Sequence, residues 1–284
     1  MIICMYSYIL NNIIMTDIKL IAEIGWNHMG SLSLAEKMIK AAKNSGADYA
    51  KFQTWRVKNL KSGPWDNDGR RQIYEKAELS KEDYTKIYKI CKKYKIKFLT
   101  SLFNHDDYEL INHLRSNTIK IPSPENRNDK LLKFVSKKFN NIYLSTGASK
   151  VSEIKKSLNY LKKNKVTVMH CVSSYPCNDE QANLGRITKI KEISKNVGLS
   201  DHTNDILSSV VSLSYGISLI EKHFTIDNSL PGRDNKFAIL PKKFLELKKV
   251  IERYKKFNLV KKEKFIPQEI EIRKVYSGRW SKQN

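Results

Sequence analysis

From residue 18 onward the chain alternates eight times between short apolar, often β-branched runs and longer intervening segments, several of them plainly amphipathic, and few folds accept that alternation. The runs lie at 18–24, 49–52, 97–100, 118–121, 142–145, 166–170, 197–199 and 218–221. They are nearly continuous in apolar residues, as expected of parallel strands covered on both faces. The segments 33–42, 81–94, 151–162 and 207–215 carry helical spacing, and a last helix is expected to begin at Pro241, where a first-turn proline is tolerated. Ser31 ahead of Leu34 reads as a weak helix start, whereas Ser152 beside Glu153 suits a helix N-terminus. Eight strand–helix units predict an α/β fold of the TIM (β/α)8 type. An open doubly wound sheet would call for a glycine-rich phosphate loop after the first strand, and none is present. A chain of 284 residues holds one such barrel, which we place at 18–257.

Charge bears on what this domain would bind. The chain has 52 basic and 29 acidic residues, a net +23. The lysines are spread over helical faces, as at Lys155, Lys156, Lys162 and Lys163, with no arginine-rich arm and no basic–aromatic stripe. This pattern predicts solvated helices and an attraction for anionic substrates, with no nucleic-acid partner. Cys4, Cys91, Cys171 and Cys177 form no CxxC pair, which fits a reduced, cytoplasmic protein. The apolar start, MIICMYSYILNNIIM, is too short and too interrupted to span a bilayer, and it lacks a signal peptide's basic and cleavage regions. Residues 1–17 are therefore expected to be an extension that is not native, with Met15 as the natural start and no membrane partner.

In an α/β barrel the chemistry gathers at the C-terminal ends of the strands. Those positions hold Glu23, Lys51 with Gln53, Ser101, Lys120 with Ser123 and Glu125, Ser145 with Thr146, His170 with Ser173 and Tyr175, Ser200 with Asp201 and His202, and Glu221 with Lys222 and His223. Nearly every strand ends in a titratable or hydroxyl side chain. His202 and His223 end neighbouring strands, so two imidazoles can share one exchangeable divalent ion, Mn²⁺ or Mg²⁺; paired core histidines are the alternative. A lysine in a barrel mouth needs an anion, a Schiff-base partner or a carboxylate. For Lys51 and Lys120 the anion could be a substrate, with Ser101, Ser123 and Ser200 as donors, or the partner could be Glu23 or Glu125. His170 reads as a core histidine, and Cys171 and Cys177 as packing and loop residues.

The segments IAEIGWNHMG (21–30), GADYAKFQTW (46–55), KIPSPEN (120–126), LSTGAS (144–149), HCVSSYP (170–176), GLSDHT (198–203) and IEKHFTID…LPGRDNK (220–236) resemble the sialic acid synthase family in order and spacing. The resemblance covers roughly 18–257. It implies condensation of phosphoenolpyruvate with N-acetylmannosamine or a related amino sugar, by a cytoplasmic homodimer. It further implies a phosphoenolpyruvate site of Lys51, Ser101, Lys120, Ser123, Ser173 and Ser200 and metal ligands His202 and His223. Glu23, Gln53, Glu125, Tyr175 and Asp234 match positions near the sugar or the reacting centre, and either Glu23 or Glu221 would handle protons. Ser101-Leu102 replaces a Thr-Pro of many members, Ser173 stands for an Asn, and Trp26 and KIPSPEN mark a subfamily. The family's antifreeze-like C-terminal domain is not matched. Residues 258–284 are expected to form a basic tail, with any capping domain supplied separately. A KDO-phosphate or DAHP synthase and a Schiff-base pyruvate aldolase are the enzymatic rivals, and a barrel without activity or a basic binding protein the others.

Overall fold

A computed structural model describes residues 17–257 and 265–281. The expected extension, Asp17 apart, and residues 258–264 and 282–284 of the expected basic tail lie outside these residues. Eight parallel strands close into a barrel in chain order: β1 Lys19–Gly25, β2 Tyr49–Thr54, β3 Lys97–Leu102, β4 Thr118–Ile121, β5 Asn141–Ser145, β6 Lys165–Cys171, β7 Val197–Asp201 and β8 Leu219–His223. The α/β barrel expected from the alternation is the fold observed. Closure sets Glu23 opposite both Lys51 and His223, Ser101 opposite Lys120, and Ser200 opposite Glu221.

Strand parity sorts the side chains into layers. Ile21, Tyr49, Leu99, Met169 and Leu219, with Tyr143 against them, form an apolar plug inside the barrel. Two residues further along the same strands stand Glu23, Lys51, Ser101, Cys171 and Glu221, a polar layer resting on that plug. The opposite parity, including Leu20, Phe52, Ile119, Val168 and Ile220, packs under the helices in the main core.

The helices are α1 Leu32–Asn44, α2 Arg70–Ala77, α3 Lys81–Lys93, α4 Asp129–Lys138, α5 Val151–Tyr160, α6 Arg186–Lys191, α7 Leu207–Ser212, α8 Pro241–Phe257 and α9 Pro267–Tyr276. Ser31 proves a full cap for α1, its hydroxyl accepting from the Leu34 amide at 3.2 Å. Ser152 is not the cap of α5, which begins one residue earlier; Glu153 instead reaches back to accept from the Lys150 amide at 2.6 Å. α8 starts at Pro241 as expected. One unit departs from the repeat: β3 is followed by two 3-10 segments, His105–Leu110 and Asn112–Leu114. Asn104 caps the first of them, its side-chain oxygen accepting from the Asp106 amide at 3.2 Å. The buried Asp107 carboxylate is also engaged elsewhere, accepting from Arg56 Nε and Asn59 Nδ2, each at 2.7 Å. The 207–215 helix likewise ends as a 3-10 turn after Ser212. Every residue of α9 is exposed.

Candidate active site

The barrel mouth opens into a cavity of about 1310 Å³. Its floor is a cluster of four buried ionic groups on β1, β2, β4 and β8. Lys51 Nζ lies 2.6 Å from Glu23 Oε2 and 3.7 Å from Glu221 Oε2, and Lys120 pairs with Glu221 Oε1. Ser200 donates to Glu221 Oε1 at 2.9 Å, and Gln53 Nε2 donates to Glu23 Oε1 at 2.8 Å. The lysines thus find carboxylates as one sequence reading allowed, but the second partner is Glu221. Glu125 stands apart at the rim, accepting from Asn128 Nδ2 at 2.7 Å.

The two carboxyls in this cluster titrate in opposite directions. Burial raises the Glu23 pKa; Lys51 opposes the rise and the nearby Glu221 charge adds to it, leaving the net shift upward. Burial also disfavours ionised Glu221, but the Lys120 and Lys51 ammoniums and the hydrogen bonds from Lys120 and Ser200 outweigh it and hold the pKa down to about 2. One carboxyl is therefore a standing anion and the other a group able to hold a proton, the split that acid–base sites use.

Hydroxyls ring the ionic floor. Ser101, Ser123, Ser145 and Ser200 all line the cavity. The Ser123 hydroxyl accepts from the Gly147 amide at 3.0 Å, and Ser145 Oγ is buried without a hydrogen-bond partner. Gly147 is required by closeness: a Cβ there would lie 2.2 Å from Ser173 Oγ and 2.9 Å from Ser123 Oγ. Ser173 itself is exposed and does not line the cavity. Cys171, read from the sequence as packing, does line it. Its thiol sits 3.4 Å from Ser123 Oγ and 3.9 Å from His202 Nδ1. Strand parity, which points residues 169 and 171 into the barrel, was the signal that would have found it. His170, of opposite parity, is buried outside the cavity with Nε2 2.8 Å from the Ala182 carbonyl oxygen, as a core histidine would be.

His202 and His223 come together at the rim with ring centroids 5.4 Å apart. Tyr175 lies tilted against His202, ring centroids 4.1 Å apart, and meets His223 edge-on at 5.8 Å. His202 Nδ1 is 2.7 Å from the Val172 carbonyl oxygen, so it carries the proton and Nε2 keeps its lone pair. His223 is buried, its Nδ1 has no hydrogen-bond partner, and burial together with the neighbouring His202 pushes its pKa well below the ordinary histidine range. Burial disfavours the charged form of His202, but the adjacent Cys171 thiol and the Val172 carbonyl outweigh it and leave its pKa raised. With both rings deprotonated, the two imidazoles at this separation would fit one shared divalent ion. No cluster of three or more His, Cys, Asp or Glu with metal-site geometry exists among the described residues, so remaining coordination would fall to substrate and water. Asp234 stands beside the pair, Oδ2 3.4 Å from His223 Nδ1, and accepts from Trp26 Nε1 at 2.5 Å. Burial raises its pKa to about 6. Trp26 stacks on Tyr74 of α2 at 4.8 Å, tying the 55–79 excursion to the mouth.

Comparison with known proteins gives this geometry a family context. Residues 38–263 match the NeuB family. The chain is 36% identical over 239 residues to the N,N'-diacetyllegionaminic acid synthase of Campylobacter jejuni, covering 78% of this chain and 72% of that one. It is 33% identical over 241 residues to a pseudaminic acid synthase of the same species, covering 79% and 70%. A crystal structure of the N-acetylneuraminic acid synthetase of Leptospira borgpetersenii in complex with citrate superposes with a TM-score of 0.84 at 29% identity, covering 91% of this chain and 92% of that one.

Proposed function

The chain belongs to the NeuB family, and from that premise we propose that it condenses phosphoenolpyruvate with an N-acetylmannosamine-like amino sugar. The products are a nonulosonic acid of the sialic acid type and inorganic phosphate. The observation that carries this reading is the buried Lys51–Glu23–Glu221–Lys120 floor beneath a ring of serine hydroxyls, with the His202–His223 pair directly above.

The chain's residues divide the work. Lys51 and Lys120, with Ser101, Ser123, Ser145 and Ser200, would hold the phosphate and carboxylate of phosphoenolpyruvate, since two ammoniums and several donors in a dry site suit a small polyanion. His202 and His223 would hold a divalent ion, Mn²⁺ or Mg²⁺; when bound, it supplies Lewis-acid polarisation of the sugar aldehyde. Tyr175, Gln53, Glu125 and Asp234 would face the sugar. The phosphoenolpyruvate π electrons form the new bond from C3 to the aldehyde carbon, and water adds to C2. Glu23 would give its proton to the aldehyde oxygen and regain one from that water, returning to its starting state. The C2–O bond to phosphate then breaks, its electron pair and the proton of the C2 hydroxyl leave together as hydrogen phosphate, and the C2 ketone remains. Glu221, held anionic by both lysines, would keep those ammoniums in place and would not exchange a proton. Ser173, exposed and outside the cavity lining, would act from the edge of the phosphoenolpyruvate site.

We place the reaction in the cytoplasm and expect a homodimer. Among the described residues no helix is long and apolar enough to cross a membrane. The experiment is phosphate release from phosphoenolpyruvate across a panel of amino sugars, including N-acetylmannosamine and its diacetamido relatives. Release dependent on one such sugar, with a 2-keto acid product of matching mass, is the expected outcome. Release with phosphorylated aldoses only would overturn the reading.

A further inference from the structure

One group of buried charges takes no part in that chemistry. Asp201 and Lys222 face each other across β7 and β8, on the side of the strands that packs under α7. Both are buried, at 4% and 2% exposure. Lys222 Nζ lies 3.1 Å from Asp201 Oδ2 and donates to the carbonyl oxygens of Thr203 and Asp205, each at 2.6 Å. Asp201 also accepts from the Thr203 amide at 2.9 Å, the Thr203 hydroxyl at 2.8 Å, and Ser208 and Ser209 of α7 at 2.6 and 2.5 Å. An ionic pair placed where most of the barrel uses apolar residues carries a large desolvation cost, and apolar residues of like volume would pack there at least as well. Its position accounts for it. Asp201 immediately precedes His202, Thr203 follows it, and Lys222 immediately precedes His223.

We propose that the Lys222 ammonium, clamped by Asp201 and by the Thr203 and Asp205 carbonyls, is the positioning device that sets the spacing of His202 and His223 for a shared divalent ion. The 201–205 segment wraps around one cation that belongs to the neighbouring strand. His202, in the middle of that segment, is thereby forced toward the barrel interior, and its backbone is locked to β8 at the level of His223. The outer end of the segment is pinned as well, since the His202 carbonyl accepts from the Cys177 amide at 2.9 Å. The imidazole is turned by Val172 on the other side. Two ligands from different strands must agree within a few tenths of an ångström to chelate one ion, and a cross-strand clamp beside both supplies that agreement. Asp201 and Lys222 are positioning residues and touch neither ion nor substrate.

The inference rests on the reading of His202 and His223 as the metal ligands, and the test separates the two. Lys222→Met alone strands a buried carboxylate and lowers stability, so the informative variant is the uncharged pair Asp201→Asn with Lys222→Met. Mn²⁺ affinity is read by electron paramagnetic resonance of the free ion, phosphoenolpyruvate affinity by calorimetry without metal, and folding by thermal melting. In the double variant we expect melting close to that of the parent and phosphoenolpyruvate affinity within about twofold. Mn²⁺ binding should weaken by roughly 10–100-fold, the range typical of outer-shell partners. Lys222→Arg, which keeps the charge, should recover part of the loss. Mn²⁺ affinity in the folded double variant equal to that of the parent, with His202→Ala abolishing it, overturns the clamp alone. No Mn²⁺ binding by the parent protein overturns the clamp and the ligand reading together.

Discussion

Replacing Lys51 or Lys120 by methionine removes one ammonium from a floor where each carboxylate already depends on it. Breaking a buried charge set in this way typically costs about 3–5 kcal/mol. We therefore expect each variant to bind phosphoenolpyruvate more than a hundredfold less tightly while sugar affinity changes far less, a split that calorimetry with each substrate would read. Near-parental affinity in either variant would remove that lysine from the site. His202→Ala should abolish Mn²⁺-dependent phosphate release and Mn²⁺ binding, with phosphoenolpyruvate binding surviving in part. The two buried glutamates should behave differently. With its pKa raised, Glu23 is protonated further up the pH scale than an ordinary carboxyl. Turnover should fall as pH rises through that value, and Glu23→Gln should lower kcat with little change in KM and erase that limb. The Glu221 pKa is depressed to about 2, so its contribution to stability is complete above the unfolded value near 4.5 and disappears as pH falls toward 2. Urea unfolding at pH 5, 4 and 3 should show that slope in the parent and a flatter one in Glu221→Gln. Both residues were visible in the sequence as strand-end carboxyls, yet nothing local to either distinguished them. Their difference comes from which lysines closure brings alongside.

At the scale of elements, the turn after β5 shows how backbone spacing shapes the site. Gly147→Ala would set a methyl against the Ser123 and Ser173 hydroxyls. Both can rotate away, so the fold should melt normally while phosphoenolpyruvate affinity drops, measurable by pairing melting curves with calorimetry; unchanged affinity would argue that neither hydroxyl contacts the ligand. The Ser80 cap of α3, which exchanges hydrogen bonds with Asp83, makes the opposite prediction. Ser80→Ala should cost about 1 kcal/mol of stability in denaturant unfolding and leave phosphoenolpyruvate binding untouched. Periodicity was enough to find most elements because it is a local property. It failed after β3, where Arg56 and Asn59, about fifty residues away, recruit Asp107 and leave 3-10 turns in place of a helix. It set the start of α5 at residue 151, as observed, but the cap comes from Glu153 reaching back to the Lys150 amide and not from Ser152.

For the whole molecule, the net charge of +23 should act on encounter with the anionic substrate. We expect kcat/KM for phosphoenolpyruvate to fall as sodium chloride rises from 20 to 300 mM, as steering is screened over a Debye length of about 10 Å at 0.1 M, while kcat changes little. A flat kcat/KM over that range would confine the charge to solubility. The sequence by itself determined the eightfold alternation, hence the barrel, and through strand parity and motif spacing it named most of the residues that meet at the mouth. These follow from strand and helix periods, which act over a few residues. Only the tertiary structure decided which groups neighbour one another. The closing contact of β1 with β8 joins residues some 200 positions apart, and that contact gives Lys51 a second carboxylate and divides the two glutamates, while the pairing of β6 with β7 brings Cys171 beside His202. Electrostatic coupling and hydrogen bonding depend on distances of a few ångströms across the barrel, and those distances exist only once the sheet has closed.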